Sequence, residues 1–474
     1  MLFNSTQFLI FFPIVVLLYY VIPKKFRYIW LLISSYYFYM GWNPRYALLL
    51  LFSTAVTYVS GLLLGKANTI KIKNLIVAAS FALNLSVLGF FKYTKMFVPD
   101  FDIILPVGIS FYTFQALSYT MDVYRGEIYA EKNFFRYALF VSFFPQLVAG
   151  PIERSKNLLR QLAEPKSFDY DRARSGVFLM LWGYFLKVVL ADRIAIFVDT
   201  AYGNIDQRGG WFLIIATILF AVQIYCDFYG YSVIAIGAAK ILGIGLMENF
   251  KAPYLSGTVS EFWRRWHISL TSWFKDYLYI PLGGSRKGKL RKYINQMIVF
   301  LVSGLWHGAD LSFVIWGGIN GLYQVIGDIL LPVRKKLAEI ININVNSIGH
   351  RLLKMITTFV LVDFSWIFFR AKDMEQAIEV LKSIFTANNI WILFDGTIFK
   401  CGLDQKNFYL MIFAIALLLF ADICKSKLIV INEVIAKEDV WVRWLVLVVA
   451  VCGILVYGIW GIGYNAANFI YFQF

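Results

Sequence analysis

Between residues 8 and 22 the chain runs without a charged side chain, and predominantly apolar stretches recur along its whole length. Comparable stretches occupy residues 28–41, 46–65, 74–91, 134–150, 175–191, 211–229, 293–306, 311–331, 355–369, 408–424 and 441–462. A helix needs roughly 20 apolar residues to cross the hydrocarbon of a bilayer, and several of these stretches are shorter. They predict an all-α polytopic membrane protein of roughly ten to twelve spans, some tilted, broken or re-entrant. Composition points the same way. Only 16% of the 474 residues are charged, against 59% hydrophobic and 18% aromatic, and mean hydropathy is +0.65. A soluble domain coats itself with roughly 25% charged residues, so much of this chain's surface must face lipid.

The net charge of +16 comes from 45 Lys and Arg against 29 Asp and Glu. Basic residues gather in cytoplasmic loops of membrane proteins, which accounts for the excess without nucleic acid; no nucleic-acid partner is expected. Lys24, Lys25 and Arg27 follow the first apolar run, and Lys66, Lys71 and Lys73 follow the third, with a single Arg45 between. That alternation predicts an N-terminus outside and a first span that is retained rather than cleaved as a signal. Cys226, Cys401, Cys424 and Cys452 show no CxxC spacing, so neither a disulfide framework nor a zinc site is indicated. There is no internal repeat and no inverted-repeat signature of a secondary transporter. The chain reads as one membrane domain, 1–474. Its most polar region, residues 153–174, is expected to be a cytoplasmic loop with amphipathic helical character.

Polar residues intruding into apolar surroundings are costly at membrane depth and mark function unless they are paired. Only three histidines occur. His307 ends an apolar run within Ser303-Gly304-Leu305-Trp306-His307-Gly308-Ala309-Asp310, downstream of Arg286, Lys287, Lys289, Arg291 and Lys292. Fourteen residues at about 1.5 Å each place it roughly 21 Å from that basic, cytoplasmic end. A positioned imidazole, with an unperturbed pKa near 6.5, can take the proton of a hydroxyl that attacks a carbonyl. Asp310 is three residues away and could orient it. A structural histidine bonded to a neighbouring helix is an equally good reading from burial alone. No GxSxG elbow, HExxH or paired-histidine metal spacing is present, so no metal is expected.

His267 lies in Glu261-Phe262-Trp263-Arg264-Arg265-Trp266-His267-Ile268-Ser269, which continues through Trp273, Asp276 and Tyr277 to Gly283-Gly284. Charges and aromatics alternate there as on an interfacial amphipathic helix. The sharper reading has Arg264, Arg265 and His267 facing the phosphates of an anionic donor. His350 reads as a loop histidine. Asp227, in Tyr225-Cys226-Asp227-Phe228-Tyr229-Gly230, is expected to form a structural ion pair, with Arg264 or Arg265 as candidate partners. Pro106-Val107-Gly108 predicts a broken or re-entrant segment over residues 105–115.

Taken together these motifs, with Gln146-Leu147-Val148-Ala149-Gly150-Pro151-Ile152-Glu153 and the spaced pairs Trp266-His267 and Trp306-His307, resemble the membrane-bound O-acyltransferase (MBOAT) superfamily. The resemblance is to the bacterial branch containing the alginate O-acetyltransferase membrane subunit, and it is densest over residues 105–322. It implies a ring of tilted helices around a central tunnel, with His307 and His267 as catalytic residues. Trp263, Arg264, Arg265, Trp306 and Asp310 would contact substrate, and Asp227, Asp276 and Tyr277 would support the site. It further implies no bound cofactor and an acyl thioester substrate, acetyl-CoA or an acyl carrier protein, approaching from the cytoplasm. The acceptor would be a cell-surface or exported polysaccharide, reached through an extracytoplasmic serine-hydrolase-like partner, and the location a bacterial inner membrane. The chain departs from relatives after Gly230, where Tyr231-Ser232-Val233 stands in place of a further acid, and at Asp310-Leu311, where Asn and Trp are common. D-alanyl transfer to teichoic acid, a glycan or acyl-group transporter, and a structural subunit are the competing expectations.

Overall fold

In the computed structural model, residues 1–98, 105–460 and 469–470 are described. Helices dominate throughout, and there is no strand among the described residues. The α-helices are α1 (Thr6–Val21), α2 (Arg27–Met40), α3 (Ala47–Lys66), α4 (Ile70–Phe97), α5 (Ile109–Tyr124), α6 (Phe134–Ser142), α7 (Phe144–Leu147), α8 (Ser155–Ala163), α9 (Tyr170–Tyr184), α10 (Asp192–Gly203) and α11 (Trp211–Ile241). Then come α12 (Val259–Arg265), α13 (Ile268–Phe274), α14 (Lys289–His307), α15 (Leu311–Ile329), α16 (Leu331–Ile340), α17 (Ile348–Arg370), α18 (Met374–Phe385), α19 (Gln405–Ser426), α20 (Ile431–Lys437) and α21 (Val440–Tyr457). Two π-helical turns interrupt them, Phe185–Ala191 and Lys275–Tyr279.

Six helical segments among the described residues are long and apolar enough to cross a bilayer: Pro44–Lys66, Ile70–Thr94, Trp211–Ile241, Ile348–Arg370, Gln405–Ser426 and Val440–Tyr457. A seventh results if α15 and α16, bent by 50° at their junction, count as one span. The other predicted spans are shorter, broken or more charged helices. The stretch 134–150 divides into α6 and α7 at Phe143, beside Pro145, and 175–191 ends in a π-helical turn. The last predicted stretch, 441–462, forms α21 to Tyr457, and its residues 461 and 462 lie outside those described.

Three local expectations need correction. The run 211–229 continues as a single helix of 31 residues, so Asp227 sits inside α11 rather than at its end. His350 belongs to the first turn of α17, where its N–H is capped by the Ser347 hydroxyl. The predicted break at 105–115 is confined to residues 105–108, where Gly108 is left-handed and N-caps α5; Ser110, Thr113 and Gln115 then lie on regular helix. That helix is buried on nearly every face, and Gln115 Nε2 satisfies itself on the Phe140 carbonyl at 2.6 Å.

The chain forms two compact units, each with its own core. The first has Met1–Tyr184 and Gly230–Glu248 as its main segments, the second Phe185–Tyr229 and Asn249–Ile462. In the first, Phe8, Phe38 and Phe144 make an aromatic centre, with ring centroids 5.5–6.1 Å apart for the pairs that include Phe38. The predicted amphipathic segment within 153–174 is α8, which buries Leu158, Leu159 and Leu162. Both motif histidines lie in the second unit.

Candidate active site

His307 is the last residue of α14, and Gly308 caps that helix in extended backbone. Its position is set by a close antiparallel pair. A Cβ on Gly304 would meet the Phe313 carbonyl oxygen at 2.3 Å, and one on Gly317 would meet that of Phe300 at 2.3 Å. Only glycine permits the backbones of α14 and α15 to approach so closely, as in small-residue interfaces of membrane helices. α15 then starts at once: the Asp310 carboxylate accepts the Ser312 N–H at 2.8 Å and caps it. The sequence reading gave Asp310 to His307 or to substrate; the structure shows it as a helix cap.

The imidazole of His307 is enclosed by rings. Trp306, Trp316 and Phe369 stand edge-on to it, with centroids at 4.8, 5.1 and 5.2 Å. Trp316 stacks on Trp366 at 5.7 Å, and Trp366 meets Trp266 at 5.2 Å. These aromatics come from α14, α15, α17 and, for Trp266, the C-cap of α12, and His307 is 5% exposed.

His267 occupies the break between α12 and α13 in the left-handed region, at φ +44°. Such a conformation is uncommon for a side chain with a Cβ and persists only when its surroundings hold it. Asn249 supplies that hold. Its carbonyl accepts the Ile268 N–H at 3.0 Å, and its Oδ1 accepts the Ser269 N–H at 3.1 Å, satisfying two amides at the start of α13 that have no partner within the helix. A third bond, Lys251 N–H to the Arg265 carbonyl at 3.0 Å, fastens the end of α12 to the same segment. The His267 ring meets Phe228 at 4.6 Å and Trp306 at 6.3 Å. Trp306 therefore makes a ring contact with each of the two histidines. This burial removes His267 from any exposed interfacial face; it is 1% exposed.

Phe228 is placed by its neighbour. Asp227 lies 2.6 Å from Lys187 Nζ, which is also 2.8 Å from Asp192. Lys187 and Asp227 are each about 3% exposed, so this is a buried triad tying the π-helical turn and α10 to α11. The arginines offered as partners of Asp227 go elsewhere. Arg265 pairs with Glu261 at 2.6 Å, and Arg264 is exposed on α12. Trp263 is a buried wedge whose indole N–H donates to Asn320 Oδ1 at 3.2 Å. Asp276 and Tyr277 lie half-buried in the second π-helical turn, Tyr277 against Trp273 at 5.2 Å.

Of the residues singled out in the sequence, His267, His307 and Trp306 thus come together. Arg264 is exposed and Arg265 pairs with Glu261 instead. Asn249, Phe228, Lys187, Trp316, Trp366 and Phe369 were not anticipated. Lys187, a lone cation within a long apolar run, was the one with a visible signal.

His267 and His307 are both buried among aromatic rings, and the comparisons say which family the chain belongs to. The chain is 35% identical to a protein named as a probable alginate O-acetylase of Pseudomonas syringae pv. tomato, over 81% of this chain and 75% of the relative. It is 33% identical to a peptidoglycan O-acetyltransferase of Helicobacter pylori, over 82% and 81% of the two chains. The family model for MBOAT, the membrane-bound O-acyltransferase family, matches residues 127–338. The chain belongs to the membrane-bound O-acyltransferase family. It is a multi-pass membrane O-acyltransferase, and the matched stretch contains both histidines, Asn249 and the Lys187 triad. A teichoic acid D-alanyltransferase of Bacillus subtilis is more distant, 27% identical over 48% of this chain and 60% of the relative.

Proposed function

We propose that this acyltransferase moves an acetyl group from a thioester donor on the cytoplasmic side of a bacterial inner membrane to the hydroxyl of an extracytoplasmic acceptor, for O-acetylation of a cell-surface or exported polysaccharide. His307 is the general base. It takes the proton of the acceptor hydroxyl as that oxygen attacks the thioester carbonyl; the carbon–sulfur bond breaks, and the thiolate leaves with the proton. The observation that carries this reading is the shared indole: Trp306 lies against both His267 and His307 inside a buried aromatic wall. Such an enclosure excludes the water that would hydrolyse a thioester. His267 is a second imidazole within the same wall and is assigned to the donor side. Acetyl is favoured over D-alanyl because the acetyl-transferring relatives match more of the chain at higher identity. A serine-hydrolase-like partner outside the membrane would pass the group on to the polymer.

The test is transfer of radiolabelled acetyl from acetyl-CoA by purified protein in lipid, with acceptor polysaccharide and partner supplied. Wild type should move label to the polymer and His307→Ala should not, a loss of about 10²–10⁴-fold for a general base. Near-normal transfer by a folded His307→Ala protein would sink the assignment of His307. Label moved from a D-alanyl carrier and not from acetyl-CoA would replace the donor.

A further inference from the structure

α16 is a helix of ten residues, Leu331–Ile340, that buries no side chain. An isolated helix this short is not stable in water, so its stability must come from a surface it lies on. Its sequence says what kind. Val333, Leu337 and Ile340 fall at i, i+4 and i+7, forming one stripe, and are half to two-thirds exposed. Lys335 and Glu339 lie on the opposite side, with Arg334 and Lys336 at the margins of the stripe. Apolar exposure continues beyond the helix, where Ile341, Ile343 and Val345 alternate with Asn342, Asn344 and Asn346.

The helix is also turned out of the direction of the span before it. α15 and α16 meet at an angle of 50°, with Pro332 in the first turn of α16. α15 returns antiparallel to α14: Gly304 meets Phe313, Phe300 meets Gly317, and Lys292 Nζ meets Asp328 at 2.7 Å. α16 therefore emerges at the same end as Arg286, Lys287, Lys289 and Arg291, all exposed. One end of this helix pair carries seven exposed cations, Arg334, Lys335 and Lys336 included.

We infer that α16 lies in the plane of the membrane at this end, its Val333–Leu337–Ile340 stripe in the headgroup–acyl boundary and its basic residues on anionic lipid headgroups. The combination of a low-burial amphipathic helix, basic residues opposite and flanking its apolar stripe, and a bend away from the span fits an interfacial segment. Each cation near an anionic surface strengthens association about fivefold, so three act together on the order of 100-fold. The inference does not depend on the acceptor or donor proposed above.

Spin labels on the full-length protein test it, one replacing Leu337 on the apolar stripe and one replacing Glu339 opposite. The protein is reconstituted in phosphatidylcholine with and without phosphatidylglycerol. The Leu337 label should collide with lipid-dissolved oxygen and be shielded from a water-soluble nickel chelate, while the Glu339 label shows the reverse. Phosphatidylglycerol should strengthen this contrast, and Arg334→Gln/Lys335→Gln/Lys336→Gln should abolish that strengthening while transfer activity remains. Equal chelate access at both positions overturns the in-plane placement. A contrast indifferent to phosphatidylglycerol overturns the anionic preference. Shielding of Leu337 that arises only on adding an acidic carrier protein makes the surface a protein-docking site and overturns the proposal.

Discussion

His267 combines two properties that substitution can separate, a left-handed backbone and an imidazole. Asn tolerates that backbone region well, so His267→Asn should keep the melting temperature near wild type. Transfer should nonetheless fall by about 10²-fold, the scale of losing a positioned group. Wild-type activity in a folded His267→Asn protein would reduce His267 to a hinge. Asn249 is the complementary case. Asn249→Ala leaves the Ser269 N–H without its acceptor, which costs about 1–3 kcal/mol, whereas Asn249→Asp keeps an oxygen in place. Activity and thermal stability should both drop in the alanine variant and be largely restored in the aspartate one. The buried triad gives a third result. Lys187→Ala strands the carboxylates of Asp227 and Asp192 together, 2.6 and 2.8 Å from the lost ammonium; removing one partner of a buried pair costs about 3–5 kcal/mol. Lys187→Ala should thus melt well below wild type. The need for a partner at Asp227 was legible in the sequence, because an acid within an apolar run has to be paired. Its identity was not: Lys187 and Asp227 are brought together by folding, and Arg264 and Arg265 were simply the cations in view. Asn249 was illegible for a different reason. A neutral amide beside a turn carries no sign of whether its oxygen will hold an amide elsewhere in the chain.

Among the elements, the α14–α15 pair carries the site, since His307 ends one helix and Trp316 stands on the other. Its glycines are not equivalent. A methyl on Gly317 would lie 2.3 Å from the Phe300 carbonyl oxygen, but one on Gly318 would find Leu301 at an ordinary 3.7 Å. Gly317→Ala must push the helices apart, an overpacking cost of about 1–3 kcal/mol, and should lower both melting temperature and transfer. Gly318→Ala should leave both unchanged or raise stability slightly, since alanine is the better helix former. Equal effects from the two would show that close helix approach is not what positions His307. Element boundaries were the weakest part of the sequence reading. Among the described residues, hydropathy located all six helices long and apolar enough to cross a bilayer, but it could not see that α11 runs on past Asp227, because the ion pair that makes an acid tolerable there is tertiary. Nor could it distinguish a span from two short helices where Phe143 and Pro145 turn the chain. The aromatic wall was hidden similarly: Trp316, Trp366 and Phe369 sit in apolar stretches where an inward ring and a lipid-facing ring read alike.

For the whole molecule, the proposed reaction has a direction for which charge distribution and energetics both argue. A coenzyme thioester carries several phosphate charges, and one charge at the bilayer centre already costs several kcal/mol. The donor must then be taken from the face on which it is made, and only the small acyl group needs to pass. In the proposed orientation the positive-inside bias of Arg286, Lys287, Lys289 and Arg291 puts the beginning of α14 on the cytoplasmic side. His307, 18 residues further at about 1.5 Å each, is carried roughly 27 Å along that helix, towards the acceptor's side. Sealed vesicles of known orientation therefore make a decisive comparison. In inside-out vesicles, acetyl-CoA added to the medium meets the cytoplasmic face, and label should accumulate on polysaccharide trapped with the partner in the lumen. In right-side-out vesicles the same addition should yield no label on polysaccharide in the medium until the membrane is permeabilised. Transfer in intact right-side-out vesicles, at a rate comparable to the permeabilised ones, would mean that the donor enters from outside. The assignment of His267 to the donor side would then fall with the topology, while the role of His307 as base, which rests on the enclosed imidazole and not on the direction of approach, would stand.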